Sequence, residues 1–205
     1  MIGKTLLGLG LALALTACGG GGGGFETNYS QVDQSVARNW RVSKIDVVVP
    51  DTLTVSEKNS YMPNADIVWH GDPTGDRHAQ VAAIFRDAIA KGTTGLRGKQ
   101  PVTLRVVVTQ FHALTPKARG MGGNVGVHDI RFDARIHDGR TGAPLTGSFP
   151  IKADIAALVG QDAADADARG FTQKVEITEH LEAVFRNWLG GYGEDPRNSF
   201  SRLGR

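Results

Sequence analysis

Hydrophobic side chains recur with a helical period in two segments of the chain. In residues 76–91 they fall at the i, i+3, i+4, i+7 and i+8 positions, which places them on one face of a helix. Residues 171–189 show a similar spacing, and glycines follow both segments, where helix ends favour them. The sequence therefore predicts two amphipathic helices, with apolar stripes of Val81, Ile84, Phe85, Ala88 and Ile89 in the first and Ile177, Leu181, Val184, Phe185 and Trp188 in the second.

Elsewhere the hydrophobic residues follow the pattern of β-strands. Residues 40–49 are rich in β-branched side chains and stop at Pro50, while residues 101–109 and 129–136 alternate between apolar and polar. A turn signal at Asp138-Gly139 precedes residues 145–151, which we expect to form the returning strand of a hairpin. The element order is β-α-β-β-β-α, which favours an α+β fold with an antiparallel sheet of about four strands and both helices packed on one face.

The first 17 residues have the pattern of a secretory signal peptide. Lys4 precedes an apolar run at residues 6–15, and small residues follow it. The run is shorter than the roughly 20 residues that cross a bilayer as a helix. We therefore assign residues 1–17 to a leader that is removed.

The sequence LTAC at residues 15–18, where the leader meets Cys18, resembles the lipobox of bacterial lipoproteins. In those proteins a peptidase cuts before the cysteine, and the sulfur carries a diacylglyceryl group. The resemblance implies that Cys18, the only cysteine in the chain, becomes the lipidated first residue and binds the membrane. Gly19 follows it instead of Asp, and the sorting rule of that family then favours the outer membrane, facing the periplasm.

The glycine run at 19–24 predicts a flexible tether, because glycine restricts the backbone least. Residues 25–35 are polar, and we expect them to continue this tether. With 40% hydrophobic residues in a chain of 205, one core is expected, over residues 36–191. Residues 192–205 read as a polar tail.

Charge and motifs narrow the function classes. The formal charge of +2 falls to about +1 once Lys4 is removed with the leader, so no nucleic-acid partner is expected. No GxSxG, HExxH or CxxC motif occurs, and no cofactor motif is present. We therefore expect a protein that is not an enzyme and needs no cofactor.

The segment ADIVWHGDPTGDRHAQV, at residues 65–81, holds the densest candidate chemistry. His70, Asp72, Asp76 and His78 offer nitrogen and oxygen ligands within nine residues, which suits a divalent metal ion. The DPTG sequence at 72–75 also has turn chemistry, and Thr74 or Asp76 can cap the helix that follows. The structural turn explains more of these residues and is favoured, with the metal site as the alternative.

A strand with one charged face is the second candidate surface. Arg131, Asp133 and Arg135 alternate with hydrophobic residues, so their side chains point together toward solvent or a partner. Trp69 is a further candidate contact beside the turn. We expect these four residues to contact an envelope protein; the sequence leaves the oligomeric state open.

The lipobox, the YMPNADIVWHGDPTGDR block at 61–77 and the DGRTG hairpin at 138–142 together resemble a family of small alphaproteobacterial lipoproteins with a domain of unknown function. The element order is loosely similar to periplasmic auxiliary lipoproteins of envelope transport systems. The resemblance implies a membrane-anchored, non-enzymatic binding or auxiliary component of the cell envelope. A periplasmic metal-binding protein that uses the loop at 70–78 is the alternative.

Overall fold

A computed structural model describes residues 24–122, 126–198 and 200. The residues 1–17 that we predict to form a signal peptide, and Cys18, therefore lie outside the described residues. Within these ranges the strands are β1 (Thr27–Asn28), β2 (Trp40–Val48), β3 (Ile67–Val68), β4 (Gln100–His112), β5 (Gly126–Asp138), β6 (Phe149–Ala153) and β7 (Ile155–Ala157). The helices are α1 (Gln34–Ala37), α2 (Arg77–Gly92), α3 (Pro116–Arg119), α4 (Gly160–Ala168) and α5 (Gln173–Gly190), and a 3-10 turn follows at Pro196–Asn198.

The sheet has a mixed topology around the long antiparallel pair β4 and β5. The strand order is β1-β6-β5-β4-β2, with β3 also pairing with β4 and β7 with β5. Strands β2 and β3 run parallel to β4. The chain reaches β4 from this edge through α2, and such a helical crossover returns it in the same direction. The α+β class is confirmed, but the expected four-stranded, wholly antiparallel sheet is wrong: seven strands are described.

The core lies between one face of the sheet and the helices α2 and α5. Every residue of the two predicted helical stripes is buried, and so are the alternate residues of β4 and β5 that face them. Phe132 of β5 joins the layers, with ring centroids 5.1 Å from Phe85 and 5.3 Å from Phe185. The prediction of two helices packed on one face is confirmed.

Gly92 and Gly191 differ in role, although both follow a helical stripe. Gly191 ends α5 in the left-handed conformation, at φ 63°, as glycine permits. Gly92 is instead the last residue of α2, and a Cβ there would lie 2.6 Å from the carbonyl oxygen of Glu182. Gly92 therefore allows α2 and α5 to approach each other closely.

The segment before β2 belongs to the domain and not to the expected tether. Thr27 and Asn28 pair with Ala153 and Lys152 of β6. Tyr29 and Val32 are buried, and the Tyr29 hydroxyl donates to Asn187 Oδ1 of α5 at 2.9 Å. The tether expected to run to residue 35 thus ends before residue 27, because alternate side chains from that point pack into the core.

The segment after α5 also contacts the domain as far as it is described. Pro196 is buried, and the Arg197 guanidinium lies 5.1 Å from the centre of the Tyr29 ring. The polar tail expected from residue 192 is therefore packed in its first part. No described helix combines the length and the apolar character needed to cross a bilayer.

Candidate functional site

Arg77 is the centre of the 65–81 segment. Its guanidinium is almost wholly buried and donates to both carboxylate oxygens of Glu57, at 2.7 and 2.9 Å. Its Nη1 also donates to the carbonyl oxygens of Asp72 and Pro73 and to Gln80 Oε1. The turn and the preceding loop are thus folded around one cation, whose pKa the Glu57 hydrogen bonds raise. An arginine in the first turn of a helix, where the dipole disfavours a cation, was the sequence signal for this role.

Trp69 and Asp72 form the second fixed point of the turn. The Trp69 ring is fully buried, and its Nε1–H donates to Asp72 Oδ2 at 2.9 Å. Asp72 Oδ1 accepts from Lys174 Nζ of α5 at 2.7 Å. Although burial opposes it, the hydrogen bonds from Lys174 and Trp69 hold the pKa of Asp72 below its usual value. Trp69 is therefore a core residue, and its expected role as a partner contact is wrong.

Of the remaining predicted ligands, Asp76 and His78 have structural partners. Asp76 Oδ1 accepts from the backbone N–H of Ala79 at 3.0 Å and caps α2, as the turn interpretation predicted. The His78 ring hydrogen bonds to the Leu53 carbonyl at 3.2 Å. His70 Nε2 is buried without a hydrogen bond, and burial lowers the pKa of His70.

The structural turn is therefore confirmed by the cap that Asp76 places on α2. Across residues 24–122 and 126–198, no group of three or more His, Cys, Asp or Glu side chains is arranged to hold a metal ion. Of the four candidates, Asp76 Oδ1 and His78 Nδ1 lie 4.0 Å apart, while Asp72 binds Trp69 and Lys174 instead.

A buried polar network joins β1, β5 and α5. His128 accepts from the backbone N–H of Leu114 at Nδ1, so its Nε2 bears the proton and faces Glu176 Oε2 at 3.6 Å. The Thr27 hydroxyl donates to the Asp154 carbonyl oxygen and meets His180 Nε2 at 3.2 Å. The network ties the N-terminal strand to the helical layer.

Burial shifts the pKa values of two groups in this network. Burial, with a smaller effect of His128, lowers the pKa of His180 to about 4, so the ring is neutral at neutral pH. Burial and the charge of Asp129 raise the pKa of Asp154 to about 6, although its oxygens accept from the backbone N–H groups of Glu26 and Ile130. These groups lie inside the fold, and we assign them a structural role.

The open face of the sheet, opposite the helices, carries the charged strand positions. Arg131 pairs with Asp129 on its own strand at 2.9 Å. Asp133 and Arg135 lie on the same face, and the described residues offer neither of them an ion pair. The structure therefore places Arg131, Asp133 and Arg135 together, while Trp69 lies in the core.

An apolar groove of about 800 Å³ opens at one end of this face. Strands β4 and β5 contribute His112, Val127 and Asp129 to it, on the side opposite the core. The loop residues Tyr61, Met62 and Pro63 form one wall. Ala118 and Met121, in and after α3, form another, and Phe25 and Val159 also line the groove. We call this feature the apolar groove.

The walls of the apolar groove are held by hydrogen bonds. The Thr115 hydroxyl, which caps α3, donates to the Ser60 carbonyl oxygen at 2.7 Å. The backbone N–H of Lys117 donates to Asn59 Oδ1 at 2.8 Å, and Lys117 Nζ lies 4.5 Å from the centre of the Tyr61 ring. The 59–63 loop is thus fixed to α3, so hydrogen bonds within the protein maintain the concave shape of the groove.

The chemistry of the apolar groove is that of a binding site for a nonpolar group. Its polar side-chain groups are the Tyr61 hydroxyl, Asn64, His112 and Asp129, and Asp129 already accepts from Arg131 and Gln110. Burial lowers the pKa of His112, which keeps the ring neutral. Four of the eight large hydrophobic side chains that are exposed among the described residues line it: Phe25, Tyr61, Met62 and Met121. Sequence reasoning missed the groove, and its signal was the cluster YMP inside an otherwise polar loop.

The sequence model of the Family of unknown function (DUF6778) matches residues 40–205. The chain belongs to this family. The match starts at β2 and covers the sheet from there, both long helices and the 61–77 block. No curated protein matches the chain.

Several solved structures are similar to the chain at low identity. A candidate lipoprotein from Caulobacter crescentus has 16% identity and a TM-score of 0.33, over 78% of this chain and 97% of its own. A PelC dodecamer variant from Paraburkholderia phytofirmans has 11% identity and a TM-score of 0.35, over 80% and 98%. The protein XCC0632 from Xanthomonas campestris has 10% identity and a TM-score of 0.37, over 80% and 89%. Likeness at this level carries no inference about function.

Proposed function

We propose that this protein is a lipid-anchored lipoprotein of the bacterial envelope that acts by binding and not by catalysis. The anchor is the diacylglyceryl group that the LTAC sequence predicts on Cys18. Attachment to the outer membrane, facing the periplasm, follows from the same resemblance. We further propose that the protein is an auxiliary component of an envelope system, without a cofactor.

The apolar groove is the observation that carries the binding role. Contiguous exposed hydrophobic surface is costly in water, and where it occurs it marks an interaction site. The groove concentrates such side chains in one concavity, and Met62 has 88% of its surface exposed. A surface of this kind is consistent with a bound partner or ligand.

The open face beside the groove is proposed as a contact for an envelope protein. Val127, Asp129, Arg131, Asp133 and Arg135 follow one another on that face of β5, so the groove and the charged positions form one continuous stripe. An apolar site with a charged flank is the usual composition of a protein interface. We expect no nucleic-acid partner.

The anchor can be tested by exchanging the leader. In the variant, residues 1–17 are replaced by the leader of an ordinary secreted protein and Cys18→Ser removes the thiol. We expect the native chain to stay in the membrane fraction through a high-salt wash and to need detergent for release. The variant should appear in the soluble periplasmic fraction, since no acyl chain then holds it. A variant that stays in the washed membranes would refute the proposed anchor.

A further inference from the structure

The apolar groove lies where the chain leaves the described structure toward Cys18. Phe25 lines the groove, and the six glycines at 19–24 lie between it and Cys18, which makes seven residue steps. That length spans at most about 25 Å when extended, and about 15 Å on average for a glycine-rich chain. One leaflet of the hydrocarbon core is about 15 Å thick. With Cys18 lipidated, which rests on the proposed function, the groove is held within reach of the membrane surface.

The size and lining of the groove suit a linear hydrocarbon. Its volume of about 800 Å³ is within the range of small-molecule sites. Apart from Met1, both methionines of the chain, Met62 and Met121, line it. Methionine side chains are unbranched and adapt to irregular contacts, so they can follow a flexible chain.

The scarcity of polar groups argues against a peptide. A peptide brings backbone N–H and C=O groups, each of which costs free energy if it is buried without a partner. The groove offers few polar side-chain groups, namely the Tyr61 hydroxyl, Asn64, His112 and Asp129, and Asp129 is already engaged. An acyl chain brings no such groups and loses nothing in this lining.

A cation stands at the rim of the groove. Lys117 Nζ lies over the ring of Tyr61, a groove residue, and no described acidic side chain pairs with it. An ammonium in this place complements the phosphate of a lipid headgroup. We propose that the apolar groove holds an acyl chain of a membrane phospholipid, with the phosphate of that lipid beside Lys117.

Photolabelling within the bilayer tests this proposal. The mature lipoprotein is reconstituted in vesicles of phosphatidylethanolamine and phosphatidylglycerol that contain a phospholipid with a diazirine near the end of one acyl chain. After irradiation and trypsin digestion, mass spectrometry locates the label. We expect it in the peptides 59–77 and 120–131, which carry Met62, Met121 and Val127. A headgroup-diazirine lipid should label these peptides less and should instead label the chain near Lys117.

Substitutions supply the controls. Met62→Glu places a charge in the groove wall at an exposed position where folding does not depend on the side chain. It should lower labelling of both peptides about tenfold, since an uncompensated carboxylate opposes hydrocarbon. Val127→Glu should act in the same direction from the opposite side of the groove. Leu145→Glu changes an exposed hydrophobic residue outside the groove and should leave the labelling unchanged.

The outcomes separate this proposal from the proposed anchor. A second arm uses the soluble Cys18→Ser chain with a short-chain diazirine phospholipid below its micelle concentration. Two results together would refute the anchor and support the acyl-chain assignment: the groove peptides are labelled in this arm, and the native chain fails to stay on vesicles. Tail labelling no stronger than headgroup labelling, or unchanged in Met62→Glu, would overturn the acyl-chain assignment. Groove peptides that stay unlabelled in both arms would do so as well.

Discussion

Removal of the Asp72 carboxylate should leave the buried Trp69 N–H without its acceptor. An unsatisfied buried donor costs about 1–3 kcal/mol. Asp72 is partly open to solvent, with 17% of its side chain exposed, so water can take its place and the cost should fall in the lower half of that range. The ion pair to Lys174 adds less than about 1 kcal/mol, because the Lys174 side chain is 43% exposed. We therefore expect Asp72→Ala to lower the free energy of unfolding by about 2 kcal/mol.

A double-mutant cycle isolates the Trp69–Asp72 hydrogen bond from the other effects. Urea unfolding followed by far-UV circular dichroism gives the free energies for the parent, Asp72→Ala, Trp69→Phe and the double variant. The coupling energy should be about 1–2 kcal/mol, because the second substitution has no hydrogen bond left to remove. Lys174→Ala is the matched control for the ion pair alone and should cost less than about 1 kcal/mol.

Two results would refute this reasoning. A coupling energy below about 0.3 kcal/mol is within the additivity of independent sites and would mean that the hydrogen bond does not stabilise the turn. A parent chain that loses stability in EDTA, with Asp72→Ala insensitive to it, would mean that Asp72 acts as a metal ligand. We expect the same unfolding curve for the parent with and without EDTA.

Three further predictions concern the packing, the helix cap and the buried network. Gly98→Ala should cost more than about 3 kcal/mol in urea unfolding, because its Cβ would collide with the Asn39 backbone, whereas Gly95→Ala meets only the exposed Tyr192 side chain and should be tolerated. Asp76→Ala should cost about 1 kcal/mol in the same titration, since it removes the cap of α2; no measurable loss would contradict the assigned cap. Urea midpoints at about pH 7 and about pH 4.5 test the network by linkage. In the unfolded parent this histidine binds a proton near pH 6.5, whereas folded His180 has a pKa of about 4. Acidification therefore lowers the free energy of unfolding of the parent more than that of His180→Gln, and the stability difference between the two should shrink. Folded Asp154 has a pKa of about 6, whereas the same group in the unfolded chain has a pKa of 3.8. Acidification therefore raises the free energy of unfolding of the parent relative to Asp154→Asn, and the stability difference should grow. Parallel pH profiles of parent and variants would contradict both assignments.

The sequence predicted the parts of the fold whose pattern is long and one-sided. The stripes of α2 and α5, and the alternation in β4 and β5, repeat often enough to define a buried face. Strand β1 has two residues and carries no periodic signal, so its pairing with β6 was missed. The parallel direction of β2 was missed because alternation shows which face is buried and not which neighbour a strand pairs with.

The sequence likewise predicted the local features of the candidate site and missed those that join distant residues. The cap at Asp76 and the turn at 72–75 use local chemistry, so the sequence could predict them. The hydrogen bonds of Asp72 to Trp69 and Lys174 join residues up to 102 positions apart, which no spacing rule reveals. The apolar groove draws on residues between Phe25 and Val159, and only the fold brings them together. Tyr61 and Met62 read as loop residues until their exposure beside Met121 is known.

The most direct test of the account is the mass of the N-terminal tryptic peptide from protein isolated from its native membrane. No lysine or arginine lies between Cys18 and Arg38, so a processed chain gives one peptide from 18 to 38. We predict that this peptide begins at Cys18 and carries a diacylglyceryl group on its sulfur. A peptide from 5 to 38 with a free thiol would show an uncut leader and would contradict the account.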